Sequence, residues 1–327
     1  MMRISILIPV RNRKLMTYSI LQQLHQQSTQ VKSSDDLIDI VVVDDGSTDG
    51  TVEMIQQQFP QVILIQGDGN LWWTGAIHKG MEYIMEHFDS DYIIWLNDDI
   101  FLENNFIVKA IEICHIESTN NSIVGGIVTS KYYPDWIVFG GFRQGEQVCN
   151  FSDFSESSML EVDAVNGNMT IIPRKIINTI GLPNIKKYQH YGGDYEFGIR
   201  AIKAGFKVML SSQIKATADY QIEDFIRYMP PLLQWYLKPN LKDRIKIIKG
   251  LTSLKAHYNI WHFVNMIHFD VDQIPLKKYL GYYYREIRKL LICDSQLRQK
   301  CEQDLNHYIQ QRQAPSEMAE AVLSMRN

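Results

Sequence analysis

The stretch Ile38–Asp45, which reads IDIVVVDD, decides the fold class of this 327-residue chain. Five of its eight residues are β-branched, and such a run is typical of a strand covered on both faces of a sheet. The turn Gly46–Gly50 (GSTDG) follows it and is expected to supply N-cap residues for a helix that ends near Gln58. A buried strand, a short turn and a helix predict one unit of a mainly parallel α/β sheet.

Strand-like runs alternate with helical patterns through the first two thirds of the chain. Strands are predicted at Ser5–Val10, Ile38–Asp45, Val62–Gln66 and Tyr92–Leu96, and helices over Lys14–Gln27 and Gly75–Phe88. Later strands are predicted at Ile123–Thr129 and Val162–Ile172. This spacing predicts a mainly parallel sheet with helices on both faces, and a mixed second half that carries an antiparallel element.

Charge is unevenly distributed along the chain. Residues 1–224 hold 17 Lys and Arg against 28 Asp and Glu, whereas residues 225–300 hold 14 against 5. An acidic body joined to a basic segment indicates parts with different roles. We therefore expect three regions, over 1–224, 225–300 and 301–327, of which the second is helical and the third is a tail.

Composition and cysteine usage bound the class of protein. With 45% hydrophobic and 21% charged residues, the chain is not mostly disordered. The four cysteines form no CxxC pair and no metal-ligand spacing, which favours a reducing compartment. Neither a signal peptide nor an apolar run long enough to span a bilayer is recognisable. The sequence predicts a cytoplasmic protein and leaves open a peripheral position at the inner face of the membrane.

Acidic side chains follow two strands of the predicted sheet, at the edge where parallel sheets bind ligands. Asp44 and Asp45 end one strand, and Asp98 and Asp99 come directly after Tyr92–Leu96. One acid of the first pair can bind the ribose or base of a nucleotide. The second pair is costly unless a cation neutralises it, and Mg²⁺ or Mn²⁺ bound to a diphosphate would do so. At both places the alternative is ordinary turn and capping chemistry.

The loop Gly67–Gly75 (GDGNLWWTG) is rich in glycine but matches neither common phosphate-binding pattern. Trp72 stands where GxGxxG needs its third glycine, and the P-loop pattern also fails, which disfavours a Rossmann dehydrogenase and a P-loop enzyme. The paired Trp72 and Trp73 belong either to the core or to a platform for a sugar or base.

Two segments of the second half carry further candidates. Small polar residues inside the predicted strand Val162–Ile172 suggest close approach of a ligand, and these are Asn166, Gly167 and Asn168. Asp194 follows Gly193 at the start of a helical pattern. Its carboxylate either caps the first turn or acts as a general base for an acceptor hydroxyl.

Together these segments resemble family 2 glycosyltransferases of the GT-A fold, over roughly residues 3–215. The matching stretches are Ile8–Asn12 (IPVRN), Val43–Thr51 (VDDGSTDGT), Gly69–Asn70 with Gly75 and Gly80, Asn97–Asp99 (NDD), and Gly193–Asp194 with Arg200 and Ala204–Gly205. The resemblance implies a GT-A type sheet flanked by helices, with a C-terminal helical appendage. It also implies inverting transfer of a sugar from a nucleoside diphosphate sugar to a hydroxyl of a glycan or lipid-linked acceptor, as in polysaccharide biosynthesis.

The resemblance assigns residues 1–120 to the nucleotide-sugar half of a catalytic domain over 1–224, and residues 121–224 to its acceptor half. It implies that Asp99 binds Mg²⁺ or Mn²⁺, that Asp98 contacts the metal or the ribose, and that Asp194 is the base. Implied nucleotide-sugar contacts are Pro9, Val10, Arg11, Asp44, Asp45, Gly69, Asn70, Trp73, Gly75, His78 and Asp98. Implied acceptor or sugar contacts are Trp72, Asn166, Gly167, Asn168 and Gly193.

The chain departs from the family at two of these positions. Gly193 stands where relatives carry an acidic residue before the base, which makes Glu196, on the family's second acidic position, the fallback base. His78 stands where relatives carry Asn. In addition, Leu71–Gly75 (LWWTG) is similar to bacterial rhamnosyltransferases and hints at a UDP- or dTDP-linked donor.

The basic segment Leu237–Phe269 leaves two interpretations open. It forms either an interfacial surface for anionic lipids or a lipid-linked acceptor, or a helix pair packed by its apolar face on the catalytic domain. Nucleic acid is disfavoured as a partner by the acidic body and by the absence of RNA or DNA motifs.

Three other functions use similar residues. A sugar nucleotidyltransferase would open with a Gly-rich loop where this chain reads Pro9–Arg13 (PVRNR). A processive polysaccharide synthase would need membrane spans and a QxxRW motif. A nucleotide-sugar-binding protein without catalysis would keep the metal acids but not depend on Asp194.

Overall fold

The computed structural model describes residues 1–30, 36–154, 156–238, 240–292 and 295–325. They form two compact units. The first comprises Met1–Gln189 and Gly193–Asp219, and the second comprises His190–Gly192 and Tyr220–Asn327. In the described part of the chain, every helix is too short or too polar to cross a bilayer.

The first unit is an α/β domain. Its strands are β1 (Arg3–Val10), β2 (Leu37–Asp44), β3 (Ile63–Gln66), β4 (Tyr92–Leu96), β5 (Phe101–Leu102), β6 (Ser122–Ser130), β7 (Ile137–Phe139), β8 (Gly141–Arg143), β9 (Glu146–Gln147), β10 (Met159–Glu161), β11 (Ala164–Val165), β12 (Met169–Pro173) and β13 (Lys207–Ala218). Its helices are α1 (Lys14–Gln30), α2 (Thr51–Gln58), α3 (Trp72–His87), α4 (Phe106–Cys114), α5 (Arg174–Ile180) and α6 (Gly193–Lys203).

The large sheet has the strand order β10-β13-β6-β12-β4-β1-β2-β3, with β5 paired to β13 and β7 to β6. Strand β1 is parallel to β2 and β4, β3 is parallel to β2, and β13 is parallel to β6. Strand β12 runs antiparallel to both β4 and β6. These pairings confirm the predicted mainly parallel α/β sheet with an antiparallel element in its second half.

The order β4-β1-β2 brings the three predicted site-bearing strand ends together. Strand β1 lies between β2 and β4 and is parallel to both, with Val10 in register with Asp44. The residues after each strand therefore emerge at the same edge of the sheet. Helix α3 packs on β1 and β2, and its Ile77 and Met81 share one buried core with Leu7 and Val43 of the strands.

Two local expectations are wrong and a third is confirmed. The predicted strand Val162–Ile172 is two strands, β11 and β12, and residues 166–168 lie in the turn between them. Helix α3 begins at Trp72 rather than at Gly75, so both tryptophans belong to its first turn. The turn Gly46–Gly50 does supply the N-cap of α2: this residue is Gly50, whose positive φ of 84° only glycine adopts readily, and Asp49 Oδ1 accepts a hydrogen bond from the backbone N–H of Thr51 (3.2 Å).

The second unit is helical. Its helices are α7 (Ile222–Arg227), α8 (Pro231–Leu237), α9 (Leu241–Gly250), α10 (Ile260–Ile267), α11 (Leu276–Leu291), α12 (Ser295–Gln311) and α13 (Ser316–Ser324). Helices α8 to α11 contribute Trp235, Ile247, Val264 and Leu290 to a core of their own. The last two helices also contribute buried residues, such as Leu305 and Val322.

Gly80 sets how closely α3 approaches the sheet. A Cβ at this position would lie 2.2 Å from Leu7 Cδ1 and 3.0 Å from Val43 Cγ2, and both of these residues are fully buried. We expect Gly80→Ala to lower the free energy of unfolding by about 1–3 kcal/mol because the helix must move off the strands. Urea unfolding followed by circular dichroism measures the change.

Gly281→Ala, in the interior of α11, is the matched control. Its Cβ would meet no described atom within 4 Å, so alanine should raise stability by about 0.5–1 kcal/mol through its better helix propensity. Equal effects of the two substitutions would contradict the packing argument.

Candidate active site

Asp45, which follows β2, organises the glycine-rich loop. Its Oδ1 accepts hydrogen bonds from the backbone N–H of Gly69 (2.8 Å) and Leu71 (3.1 Å), and its Oδ2 accepts one from Trp72 (3.0 Å). The guanidinium of Arg11 lies 3.5 Å from Oδ2 and donates to the carbonyl of Gly69. Because this carboxylate is 2% exposed and already satisfied, it holds the loop in shape.

Asp44, the last residue of β2, has one oxygen to spare. Its Oδ1 accepts a hydrogen bond from the backbone N–H of Ser47 (2.8 Å). Its Oδ2 is buried and has no hydrogen-bond partner among the described residues. A buried acceptor without a donor is costly, so this atom is suited to a hydroxyl or N–H of a ligand. The ends of β1 at Pro9 and Val10 are its neighbours in the sheet.

Asp98 and Asp99, which follow β4, share one arginine. Arg13 donates from one nitrogen, NH1, to Asp98 Oδ1 (2.8 Å) and to Asp99 Oδ2 (2.9 Å). Thr17 donates its hydroxyl to the other oxygen of Asp98 (3.0 Å). The side chain of Asp98 is 1% exposed, whereas that of Asp99 is 40% exposed. Asp98 is thus the anchored member of the pair and Asp99 the accessible one.

The ionisation of this cluster reflects burial and mutual charge. Burial raises the pKa of Asp98 to about 6 and Asp99 adds to the rise, while Arg13 and Thr17 pull it down. Burial lowers the pKa of Arg13, but the charges of Asp99 and Asp98 outweigh it and the net pKa is raised. The arginine therefore stays charged and offsets the cost of holding two adjacent carboxylates.

The residues present fit a hard divalent cation, with few ligands from the protein. Among the described residues, no three His, Cys, Asp or Glu side chains are grouped to hold a metal ion. Mg²⁺ or Mn²⁺ is commonly held by one or two carboxylates and completed by water and substrate phosphates. Asp99, with Asp98 beside it, matches that pattern.

Trp73 links this acidic edge to the second half of the domain. Its indole N–H donates to Asn97 Oδ1 (2.8 Å), and Asn97 Nδ2 donates to Asn168 Oδ1 (2.6 Å). The indole lies edge-on to Trp95 of β4 at 5.7 Å between ring centroids. A Cβ at Gly167 would lie 2.3 Å from the Trp73 ring, so only glycine fits there. The Trp73 side chain thus contacts both Asn97, which follows β4, and Gly167, in the turn before β12.

Asp194 lies in the first turn of α6, next to residues 166–168, which form the turn between β11 and β12. Its Oδ2 accepts a hydrogen bond from the backbone N–H of Gly167 (2.9 Å), and Asn166 Nδ2 donates to the hydroxyl of Tyr195 (2.7 Å). Burial of the carboxyl raises its pKa, although the backbone N–H groups of Gly167 and Tyr195 lower it. The residue as a whole is half-buried.

Glu196 is fully engaged elsewhere. It is 3% exposed, and its two oxygens accept hydrogen bonds from Arg200 Nε (2.6 Å) and NH2 (3.1 Å). The same arginine donates to the carbonyls of Ile180 and Leu182. This pair therefore ties α6 to the end of α5 and the residues after it.

The remaining predicted contacts lie at varying distances from these clusters. Asn70 is exposed in the loop, and Gly75 is buried in the first turn of α3. His78, one turn farther along α3, has its Nδ1 2.8 Å from the carbonyl of Pro183. It belongs to the packing between α3 and residue 183 rather than to either acidic cluster.

Sequence reasoning missed Arg13, Thr17 and Asn97 as members of the site. Arg13 stands in the PVRNR segment. A comparison of the positive and negative side chains at the predicted strand ends would have indicated a second basic residue there. Thr17 carried no such signal, because a hydroxyl is common in helices and turns, whereas Asn97 stood in the matching NDD stretch without an assigned role.

Thr74 explains the glycine that replaces an acid before Asp194. A Cβ at Gly193 would lie 2.5 Å from Thr74 Oγ1 and Cγ2. We expect Gly193→Ala to lower the free energy of unfolding by about 1–3 kcal/mol. In a double-mutant cycle, Thr74→Ala should restore part of the loss, with a coupling energy of about 0.5 kcal/mol or more. Strictly additive effects in urea unfolding would show that the two positions do not compete for space.

Comparisons with known proteins identify the family of the chain. Residues 5–176, just over half of the chain, match the family model described as glycosyl transferase family 2. The chain is 30% identical over 112 residues to a 4,4'-diaponeurosporenoate glycosyltransferase from Staphylococcus haemolyticus, covering 33% of this chain and 27% of that protein. It is 27% identical over 135 residues to an uncharacterized glycosyltransferase, YfnE, from Bacillus subtilis, covering 40% and 31%. The match thus spans less than a third of either relative.

Solved structures share the fold at low sequence identity. A mannosyltransferase from Pyrobaculum calidifontis in complex with GDP-Man and Mn²⁺ superposes with a TM-score of 0.52 at 12% identity, over 98% of this chain and 78% of that one. GalNAc-T7 with UDP, GalNAc and Mn²⁺ superposes with a TM-score of 0.50 at 13% identity, over 86% and 54%. The chain belongs to glycosyl transferase family 2 and has the GT-A fold.

Proposed function

We propose that this chain transfers a sugar, with inversion at the anomeric carbon, from a nucleoside diphosphate sugar to a hydroxyl of a glycan or lipid-linked acceptor. One observation carries the proposal. The Trp73–Asn97–Asn168 chain of hydrogen bonds joins an acidic strand-end cluster to the turn that holds Asp194. These bonds would fix the proposed donor site and the proposed base relative to each other within the first unit.

The nucleoside would bind at the ends of β1 and β2. The spare Oδ2 of Asp44 is a buried acceptor suited to a ribose hydroxyl or a base N–H. Arg11, already turned toward Gly69, would complete the wall of this pocket with the loop that Asp45 holds. The tryptophan-rich start of α3 favours a UDP- or dTDP-linked donor, by the resemblance to rhamnosyltransferases.

The diphosphate would lie at the end of β4. Asp99, with Asp98, would hold Mg²⁺ or Mn²⁺, and the bound ion would supply charge stabilisation to the departing diphosphate. Arg13, shared by both acids, keeps them close together. The solved relatives of this fold that hold Mn²⁺ with GDP-Man or UDP support such a site.

Asp194 would act as the base. Its carboxylate takes the proton of the acceptor hydroxyl while the hydroxyl oxygen bonds to the anomeric carbon and the bond from that carbon to the diphosphate breaks. Attack from the face opposite the leaving group inverts the anomeric configuration. Glu196 is not available for this role because Arg200 occupies both of its oxygens. We place the reaction in the cytoplasm, consistent with the absence of CxxC pairs.

The donor can be identified by ligand-dependent stabilisation. We expect one of a panel of UDP-, dTDP- and GDP-sugars to raise the melting temperature in Mn²⁺ more than in EDTA, since a ligand that binds only the folded state stabilises it. Asp99→Asn should abolish the Mn²⁺-dependent part, whereas Asp89→Asn, an acid outside the cluster, should leave it intact. If no donor stabilises the protein in a metal-dependent way, the assignment of Asp99 is wrong.

Asp194→Asn should lower kcat for sugar transfer by about 10²–10⁴-fold while donor binding persists. Because the pKa of Asp194 is raised, the wild-type rate should be full above that pKa and fall, as pH drops through it, at a higher pH than an exposed carboxyl would give. A pH series of kcat/KM measures this acid limb.

Glu196→Gln is the matched control for the Asp194 substitution. It should cost about 1–3 kcal/mol of stability by weakening the pair with Arg200, yet keep transfer and the acid limb. Unaltered transfer in Asp194→Asn, or loss of the acid limb in Glu196→Gln, would refute the assignment of the base. Donor binding without any transfer by the wild type would instead identify a binding protein.

A further inference from the structure

Helix α11 of the second unit has an apolar stripe that its own core does not use. Tyr279, Tyr283 and Leu290 face the core of this unit. Leu276, Leu280, Tyr284 and Leu291 are instead 68%, 59%, 69% and 63% exposed. Spacings of four residues place the first three of them along one side of the helix.

Basic residues lie beside this stripe. The helix carries Lys277, Lys278, Arg285, Arg288 and Lys289, all exposed, against the single acid Glu286. Glu286 is turned inward, with its side chain 16% exposed, and lies 2.8 Å from Lys289 and 3.5 Å from Arg285. The outer surface of α11 is therefore an apolar stripe next to a positively charged band.

Helix α10 extends the aromatic character of this surface. Trp261 stacks on Tyr279 with the ring centroids 4.6 Å apart, and Phe263 meets Tyr282 edge-on at 5.7 Å. Trp261 and Phe263 are nevertheless 47% and 41% exposed. Half-exposed tryptophan and phenylalanine held in place by packing suit a boundary between water and an apolar medium.

We propose that this surface of α10 and α11 docks on an anionic lipid bilayer. Such a bilayer offers negative headgroups for the lysines and arginines, and an acyl boundary for the leucines and tyrosine in the same plane. A nucleic acid would match the basic band but leave the leucines in water. An apolar protein groove would match the leucines but leave the basic band unpartnered. Only the bilayer surface complements both.

The surface lies on α11 more than on the segment 237–269 that the sequence singled out. Helix α9 and helix α10 each place apolar residues in the core of the second unit, for example Ile247 and Val264. Leu241 on α9 is also 75% exposed, but the row of three leucines and one tyrosine that are each more than half exposed beside basic residues comes after that segment, on α11. The proposal does not depend on the donor chemistry, because lipid binding can be measured without any sugar.

The test is flotation of the full chain with vesicles of phosphatidylcholine alone or with roughly one third phosphatidylglycerol. We expect binding to the anionic vesicles that weakens with added salt, and much weaker binding to the neutral ones. Lys277→Glu and Arg288→Glu should each lower the partition coefficient about fivefold or more. Leu280→Glu should lower it at least tenfold by removing an inserted side chain.

Matched controls carry the same changes on the first unit. Val108→Glu on α4 and Lys186→Glu alter exposed residues there and should leave vesicle binding unchanged. Because all the substituted side chains are exposed, each variant should fold, and its circular dichroism melt verifies this. Absent or equal binding to both vesicle types, or equal losses in the control variants, would overturn the proposal. So would a halving of the mass in light scattering caused by Leu280→Glu, which would identify a second copy as the occupant.

Discussion

Two arginines that follow β1 neutralise the acids that follow its two neighbours in the sheet. Arg11 lies 3.5 Å from Asp45 after β2, and Arg13 lies 2.8 Å from Asp98 after β4. This works because β1 is the middle strand of three parallel neighbours, so both guanidinium groups start from one point and reach to either side. Without that strand order, the buried carboxylates would stand unpaired, at several kcal/mol each.

The two arginine–aspartate pairs leave the four aspartates with two different roles. Asp45 and Asp98 are almost fully buried, and hydrogen bonds to both oxygens of each make them structural anchors. Asp44 and Asp99 keep a free buried oxygen in one case and an exposed side chain in the other. Each adjacent pair thus contains one acid that shapes the site and one that remains open to a ligand. Adjacent residues on a strand or turn point in different directions, which makes this alternation natural.

The sequence predicted the sheet well where burial leaves little choice. Strand β4 matches its predicted bounds, and β1 and β2 match to within two residues. A continuous apolar run is stable only where both of its faces are buried, which fixes its position in the sheet. The region 162–172 failed because apolar residues on both sides of Asn166–Asn168 suggest one strand, while the glycine permits a turn. Arg13 was missed because its partner Asp98 lies 85 residues away in sequence, so that only a charge balance of the strand ends, and no local pattern, could have indicated the pair.

The turn at residues 166–168 and the neighbouring start of α6 show how the chain accommodates Gly193 in place of an acidic residue. Gly167 admits the indole of Trp73, and Gly193 admits Thr74, so two glycines make room for two neighbouring residues at the start of α3. The larger side chains at both contacts therefore belong to the helix that follows the glycine-rich loop. Asp194 is consequently held by a backbone N–H and by packing, instead of by an acidic neighbour whose charge would raise its pKa further. Asp194, the proposed base, can therefore stay in place without an acidic residue before it.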